Sequence, residues 1–214
     1  MPWPDLEGKR CLDVGPMDGF WAFELERRGA GEVIATDVLD PNRLDTRVFG
    51  RPGRRQSERN FALAAELLGS RAELRDLSVY DLDPADIGQF DVIVMGYVLQ
   101  MLRDPLRALD TLRTVCRGQL ILLDTISLPL ERLPSPLARL DARRDGSEWF
   151  VFNRRGLRKA LELTGWKVEE TTAVIRDRPG PAIGRRELTL RPRLLHRVGI
   201  RGRSAALRAR PATL

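Results

Sequence analysis

The stretch KRCLDVGPMDGFWAFELERRGAGEVIATD, residues 9 to 37, constrains the fold more than any other part of the chain. It reads as a buried strand over 9 to 15, a glycine-containing turn, a helix from Phe20 to Arg28 stopped by Gly29, and a second strand over 32 to 38. Short β-like runs go on alternating with helical patterns along the chain. That alternation predicts a parallel sheet with helices on both faces.

The helix after Asp37 is expected over 61 to 69, behind a loop rich in Pro, Gly and Arg over 40 to 57. A third strand is expected around 72 to 78 and a fourth over 89 to 96. The run DPLRALDTLRTVC, 104 to 116, opens with Asp104 as cap and Pro105 at the first helical position, a strong start signal. A fifth strand follows over 119 to 125 and a further helix over 153 to 165. Residues 128 to 148, with three prolines and mixed charge, read as a lid over the carboxyl ends of the strands. Residues 166 to 175 and 185 to 192 are expected to close the sheet as an antiparallel pair.

At 214 residues with 43% hydrophobic content, the chain suffices for one substantial core. One domain over 1 to 192 is expected. No window approaches a membrane span and the start lacks a secretory signal, so a cytoplasmic protein with no membrane contact is expected. Cys11 and Cys116 lie in apolar surroundings and read as buried thiols; with His196 the single histidine, no metal site is expected. Charge is uneven: residues 176 to 214 hold eleven arginines against Asp177 and Glu187, a net +9 that leaves −3 for residues 1 to 175. Residues 193 to 214 therefore read as a basic, flexible tail, and such a tail can bind nucleic acid by neutralising phosphates. Arg51, Arg54 and Arg55 form a second local basic patch.

The turn LDVGPMDG, 12 to 19, decides between cofactors. A dinucleotide fingerprint needs a second glycine through which the backbone approaches pyrophosphate, and Met17 occupies that place. Asp13, ahead of Gly15 and Gly19, suits a ligand with an ammonium group. Asp37, ending the second strand, is placed to accept two ribose hydroxyls. The pattern fits S-adenosylmethionine (SAM) better than NAD, and it accommodates a carboxylated SAM derivative equally.

With these motifs in view, residues 8 to 37 resemble motif I of class I SAM-dependent methyltransferases, and within them the group related to tRNA wobble-uridine (5-carboxymethoxyuridine) methyltransferases. VYDLDPADIGQFDVIVMGYVLQMLRDPLRAL, 79 to 109, resembles that group's fourth-strand region, and WFVFNRRGLRKALELTGWKV, 149 to 168, its W-x-x-x-N helix entry. The resemblance implies a Rossmann-like, doubly wound seven-stranded α/β sheet whose last two strands are an antiparallel pair. It implies SAM across the carboxyl ends of the first four strands. Asp13, Gly15 and Gly19 match the methionyl-binding turn and Asp37 the ribose acid. Val79, Tyr80 and Asp81 match the segment flanking adenine, and Met95 and Gly96 the end of the fourth strand. Where the group shows a Tyr-His pair, this chain has Gln100 and Met101.

Methyl transfer from a sulfonium is an in-line displacement, so alignment and exclusion of water supply much of the rate. A base is needed only where the acceptor loses a proton. Asp18, Tyr97 and Glu148 are the candidates for that role, and Gln100, Arg103 and Trp149 for contact with the acceptor. The expected activity is methyl transfer to a small-molecule acceptor, such as an oxygen nucleophile of specialised metabolism. The alternatives are a tRNA-modifying enzyme that uses the basic tail, and a non-catalytic SAM- or nucleotide-binding module.

Overall fold

The computed structural model describes residues 1–45, 54–140, 148–176 and 203–212. The first unit is β1 (Arg10–Val14), α1 (Phe20–Arg27) and β2 (Glu32–Asp37), with β1 and β2 parallel. There follow α2 (Arg54–Leu68), β3 (Glu73–Asp76), the short α3 (Pro84–Ile87), β4 (Phe90–Gly96), α4 (Pro105–Val115) and β5 (Cys116–Thr125). The second half holds α5 (Leu128–Glu131), β6 (Ala138–Leu140), β7 (Phe150–Phe152), α6 (Arg154–Leu163), β8 (Trp166–Thr171), β9 (Ile175–Arg176) and β10 (Arg203–Pro211). The main sheet runs β3-β2-β1-β4-β5-β10-β8, with β9 pairing the start of β10. The first five strands are parallel, whereas β10 is antiparallel to both β5 and β8. This is the doubly wound seven-stranded order with an antiparallel last pair.

The central strands are apolar on both faces because helices cover both. Leu12, Ile93, Leu120 and Leu122 pack in a cluster with Leu109 and Leu112 of α4 and Leu157 and Leu161 of α6. Cys11, Val92, Val94 and Ile121 pack with Ala22 and Leu25 of α1 and with Phe61 of α2. Cys11 and Cys116 are free and buried, and burial pushes both thiols up to about 12. Caps fall where the sequence puts them: Asp104 accepts from the Arg107 amide at 3.1 Å, and Asn153 from the Gly156 amide at 2.7 Å.

The basic, flexible tail expected over 193 to 214 is corrected within the described residues 203 to 212; the rest of that span lies outside them. Residues 203 to 211 are a strand inserted between β5 and β8, and Ser204, Ala205, Ala206, Leu207 and Ala209 are buried. Alanine is a poor strand former in isolation, but a strand covered by neighbours on both sides rewards fit over propensity. The expected strand over 185 to 192 lies outside the described residues. So does Arg51, while Arg54 and Arg55 open α2, which begins well before the expected residue 61.

The stretch expected to be a lid is partly regular, since β6 pairs antiparallel with β7. Asn153 organises it: fully buried, it donates to the carbonyls of Leu130 and Ser135 at 3.0 and 2.9 Å and accepts from the Leu137 amide at 3.0 Å. The Asn of W-x-x-x-N is thus a hub that ties α5 and β6 to the start of α6. Among the described residues no helix is long and apolar enough to cross a membrane.

Candidate functional site

A cleft of roughly 330 Å³ opens at the carboxyl ends of β1, β2 and β4, lined by the turn after β1, the end of β2, residues 43 to 45, residues 77 to 80, residues 96 to 98, Met101 and Leu102. This is where an open parallel sheet places its ligands, because strand order reverses between β1 and β4.

The turn after β1 makes one wall. Gly15 has φ +72, and a Cβ there would run into Val98. Its amide donates to the Thr36 carbonyl at 2.9 Å, fixing the turn against β2. Met17 takes φ 50 although it is not glycine. Gly19 caps α1 behind the turn and does not line the cleft. Asp13 lies one layer below, fully buried, with no hydrogen-bond partner for either carboxylate oxygen. Burial pushes its pKa up to about 7, against a weak opposite pull from the Ala22 amide.

Asp37 lines the cleft at the end of β2, where its Oδ1 accepts from the Val38 amide at 2.8 Å. Val79 and Tyr80 line it as expected, and Asp81 does not; that carboxylate stands 3.9 Å from Arg43. Gly96 lines it, whereas Met95 is wholly inside the core. Asp18 is on the wall and accepts from Asn60 at 3.3 Å. Tyr97, also on the wall, takes φ 60, and its hydroxyl donates to Ser204 Oγ at 3.2 Å. Two non-glycine residues with positive φ on one cleft mark local strain of the kind that functional sites hold.

The expected acceptor residues lie behind the wall. The Tyr80 hydroxyl donates to Asp45 Oδ2 at 2.6 Å, and the Arg103 amide donates to the same oxygen at 2.9 Å. Trp149 Nε1 donates to the Asp45 carbonyl at 3.1 Å, and the Arg103 guanidinium lies 4.8 Å over the Trp149 ring. Asp45 thereby gathers Tyr80, Arg103 and Trp149. Burial, followed by the bond to Asp45, pushes the Tyr80 phenol far above its ordinary range. Gln100 is buried; its amide donates to Asp124 Oδ2 at 3.0 Å and its carbonyl accepts from the Trp149 amide at 2.7 Å. Asp124 also accepts from the Thr125 amide at 2.7 Å. Burial raises its pKa to about 7, with a smaller upward push from Glu148 and opposition from the two amides. Glu148 itself does not line the cleft.

Asp45 and Asp124 are absent from the sequence-based candidates. Asp124 carries the same signal as Asp37, an acid ending an apolar strand. Asp45 carries none, since it sits in a Pro- and Arg-rich segment with no period. Met101 and Leu102 were passed over as well, and they line the cleft where Gln100 and Arg103 do not.

A profile described as "Methyltransferase domain" matches residues 2–171. The chain belongs to this family. A search among curated proteins finds no match. Among solved structures, this methyltransferase is similar to the Burkholderia thailandensis 1,6-didemethyltoxoflavin-N1-methyltransferase bound to 1,6-didemethyltoxoflavin and S-adenosylhomocysteine (SAH). That match has TM-score 0.63 and 16% identity, over 97% of this chain and 72% of that one. It is similar to an S-adenosylmethionine-dependent methyltransferase from Mesorhizobium loti, with TM-score 0.61 and 17% identity over 97% and 93% of the two chains. It is also similar to the [4+2]-cyclase SpnF, with TM-score 0.69 and 17% identity over 97% and 77%. At these identities the structural matches establish the shared fold.

Proposed function

We propose that this methyltransferase moves a methyl group from SAM to a small-molecule acceptor. The observation that carries the reading is the placement of Asp37 and the Gly15 turn, at the ends of adjacent parallel strands, on one cleft. The residues present fit the cofactor. Gly15 lines the cleft with bare backbone at φ +72, and Asp13 is a buried carboxylate whose oxygens have no hydrogen-bond partner beneath the turn. Asp37 accepts from the ribose hydroxyls, the turn amides meet the methionyl carboxylate, Asp13 compensates the ammonium, and Val79 and Tyr80 flank adenine. When bound, SAM supplies a methyl group on a sulfonium, a good leaving group. The chain then aligns the acceptor and excludes water. Of the candidate bases, Asp18 and Tyr97 line the cleft; the Asp18 carboxylate can receive a proton from an acceptor, and Tyr97 can do so only as its phenolate.

The small-molecule reading is supported by a neighbour in fold, the 1,6-didemethyltoxoflavin-N1-methyltransferase, whose structure has 1,6-didemethyltoxoflavin and SAH bound. The tRNA reading leaned on the basic C-terminal segment, and part of that segment is internally neutralised. Arg210 pairs with Glu169 at 2.9 Å and Arg208 with Glu170 at 3.3 Å. Calorimetry with SAM, carboxylated SAM, SAH and NAD tests the cofactor assignment, and tighter binding of NAD than of SAH contradicts it. A labelled-methyl transfer screen separates an enzyme from a binding module. Salt-dependent tRNA binding at low ionic strength is the result that would restore the tRNA reading.

A further inference from the structure

Met17, Phe20 and Trp21 line the cleft, yet Met17 is 52% and Phe20 68% exposed. Large apolar side chains left open to water forgo the gain of burying them. Met17 is in addition held at φ 50, in the left-handed region that ordinary residues avoid. Phe20 and Trp21 meet edge to face, with ring centroids 4.7 Å apart and planes at 80°. They form a corner of two perpendicular ring faces. The Trp3 ring centroid lies 5.9 Å from that of Trp21, with the planes at 55°.

The corner reaches the carboxyl end of β4 because residue 96 is glycine. A Cβ there would stand 2.5 Å from the Trp21 indole nitrogen. The polar groups of the proposed cofactor have their partners elsewhere, at Asp37, Asp13 and the turn amides, so the corner is left for another ligand. A flat ring stacked on one of these faces presents its edge to the other, the two arrangements aromatic pairs prefer. A saturated ring of the same size is too thick to gain either.

We propose that the Phe20–Trp21 corner is the acceptor subsite and that the acceptor is a planar aromatic molecule. The assignment rests on the methyl-transfer reading and names the substrate class for it. The test compares 2-naphthol with decahydro-2-naphthol, which shares its carbon skeleton without its planarity, by calorimetry on SAH-saturated protein. The wild type is expected to bind 2-naphthol at least threefold more tightly than the saturated alcohol. Phe20→Ala, which removes an exposed side chain and leaves the core intact, is expected to bind 2-naphthol at least threefold more weakly than the wild type. A smaller difference in either comparison overturns the proposal. SAH is titrated separately, and its failure to bind brings down the cofactor reading alone. The corner is built entirely from protein, so the two alcohols compared on unliganded protein still decide the acceptor class.

Discussion

The Gln100 amide donates to the Asp124 carboxylate at 3.0 Å, and this bond ties the turn carrying Val98, Met101 and Leu102 on the cleft wall to the end of β5. Asp124 and Asp13 are both buried acids with pKa raised to about 7. A raised acid stabilises the fold below its unfolded pKa and loses that contribution as pH rises through its folded value. The window here is about pH 4 to 7. Between pH 5.5 and pH 8, each carboxyl is expected to withdraw about 2 kcal/mol of stability. Arginine hydrogen bonds hold Glu24, Glu73 and Asp91 below their ordinary carboxylate values, so these acids do not mask a change between pH 5.5 and pH 8. Urea unfolding should show the wild type more stable at pH 5.5 than at pH 8, with about half of that difference gone in Asp124→Asn. A pH-independent midpoint would refute the assignment.

Ligand binding is expected to run the other way. A cationic amine above Asp13 is held only by the ionised carboxylate, so SAH affinity should rise several-fold from pH 6 to pH 8. Asp13→Asn should bind more weakly at pH 8 and show a flat profile. If the slope persists in that variant, another group is responsible, and Asp13 contributes to the turn's structure alone.

Asp37→Ala is expected to weaken SAH by roughly 1.5–3 kcal/mol, the range for a hydrogen bond to a charged acceptor. Calorimetry reads this directly, and unchanged affinity removes the ribose assignment. Gly15→Val should abolish binding, because the position combines positive φ with a Cβ that collides with Val98. A folded Gly15→Val protein that still binds SAH would contradict the turn assignment.

The parallel half of the sheet was legible because strand, turn and helix signals coincide there. The apolar run before Gly15, the Asp104-Pro105 start and the glycine stops each follow from local chemistry. The position of Gly15 and Asp37 on the cleft was legible for the same reason: each is tied to the end of a strand. The group behind the cleft wall was not, because it is assembled by contacts distant in sequence. Arg103 and Trp149 meet through Asp45, and Gln100 is buried away from the cleft with its backbone amide on Asp124. Met17 stands where a dinucleotide fingerprint has glycine, and it keeps a positive φ of the kind glycine adopts while adding an exposed apolar side chain to the cleft.

The sharpest difference concerns residues 203 to 211, where arginines and alanines suggest a solvated end and the structure has an interior strand. Its ladder to β5 runs from Ser204 opposite Thr125 to Ala209 opposite Leu120, and its other edge pairs with β8. Removing it exposes the edges of both neighbours and the apolar faces that Ala205, Leu207 and Ala209 cover. Unpaired, flat, apolar edges invite association with other chains. A chain ending at residue 202 is therefore expected to lose cooperative thermal unfolding and to aggregate, where removal of a solvated tail would shift stability by no more than about 0.5 kcal/mol. Circular dichroism melts and size-exclusion chromatography of the truncated chain check this. A monomer melting at the full-length temperature would return the segment to the status of a tail.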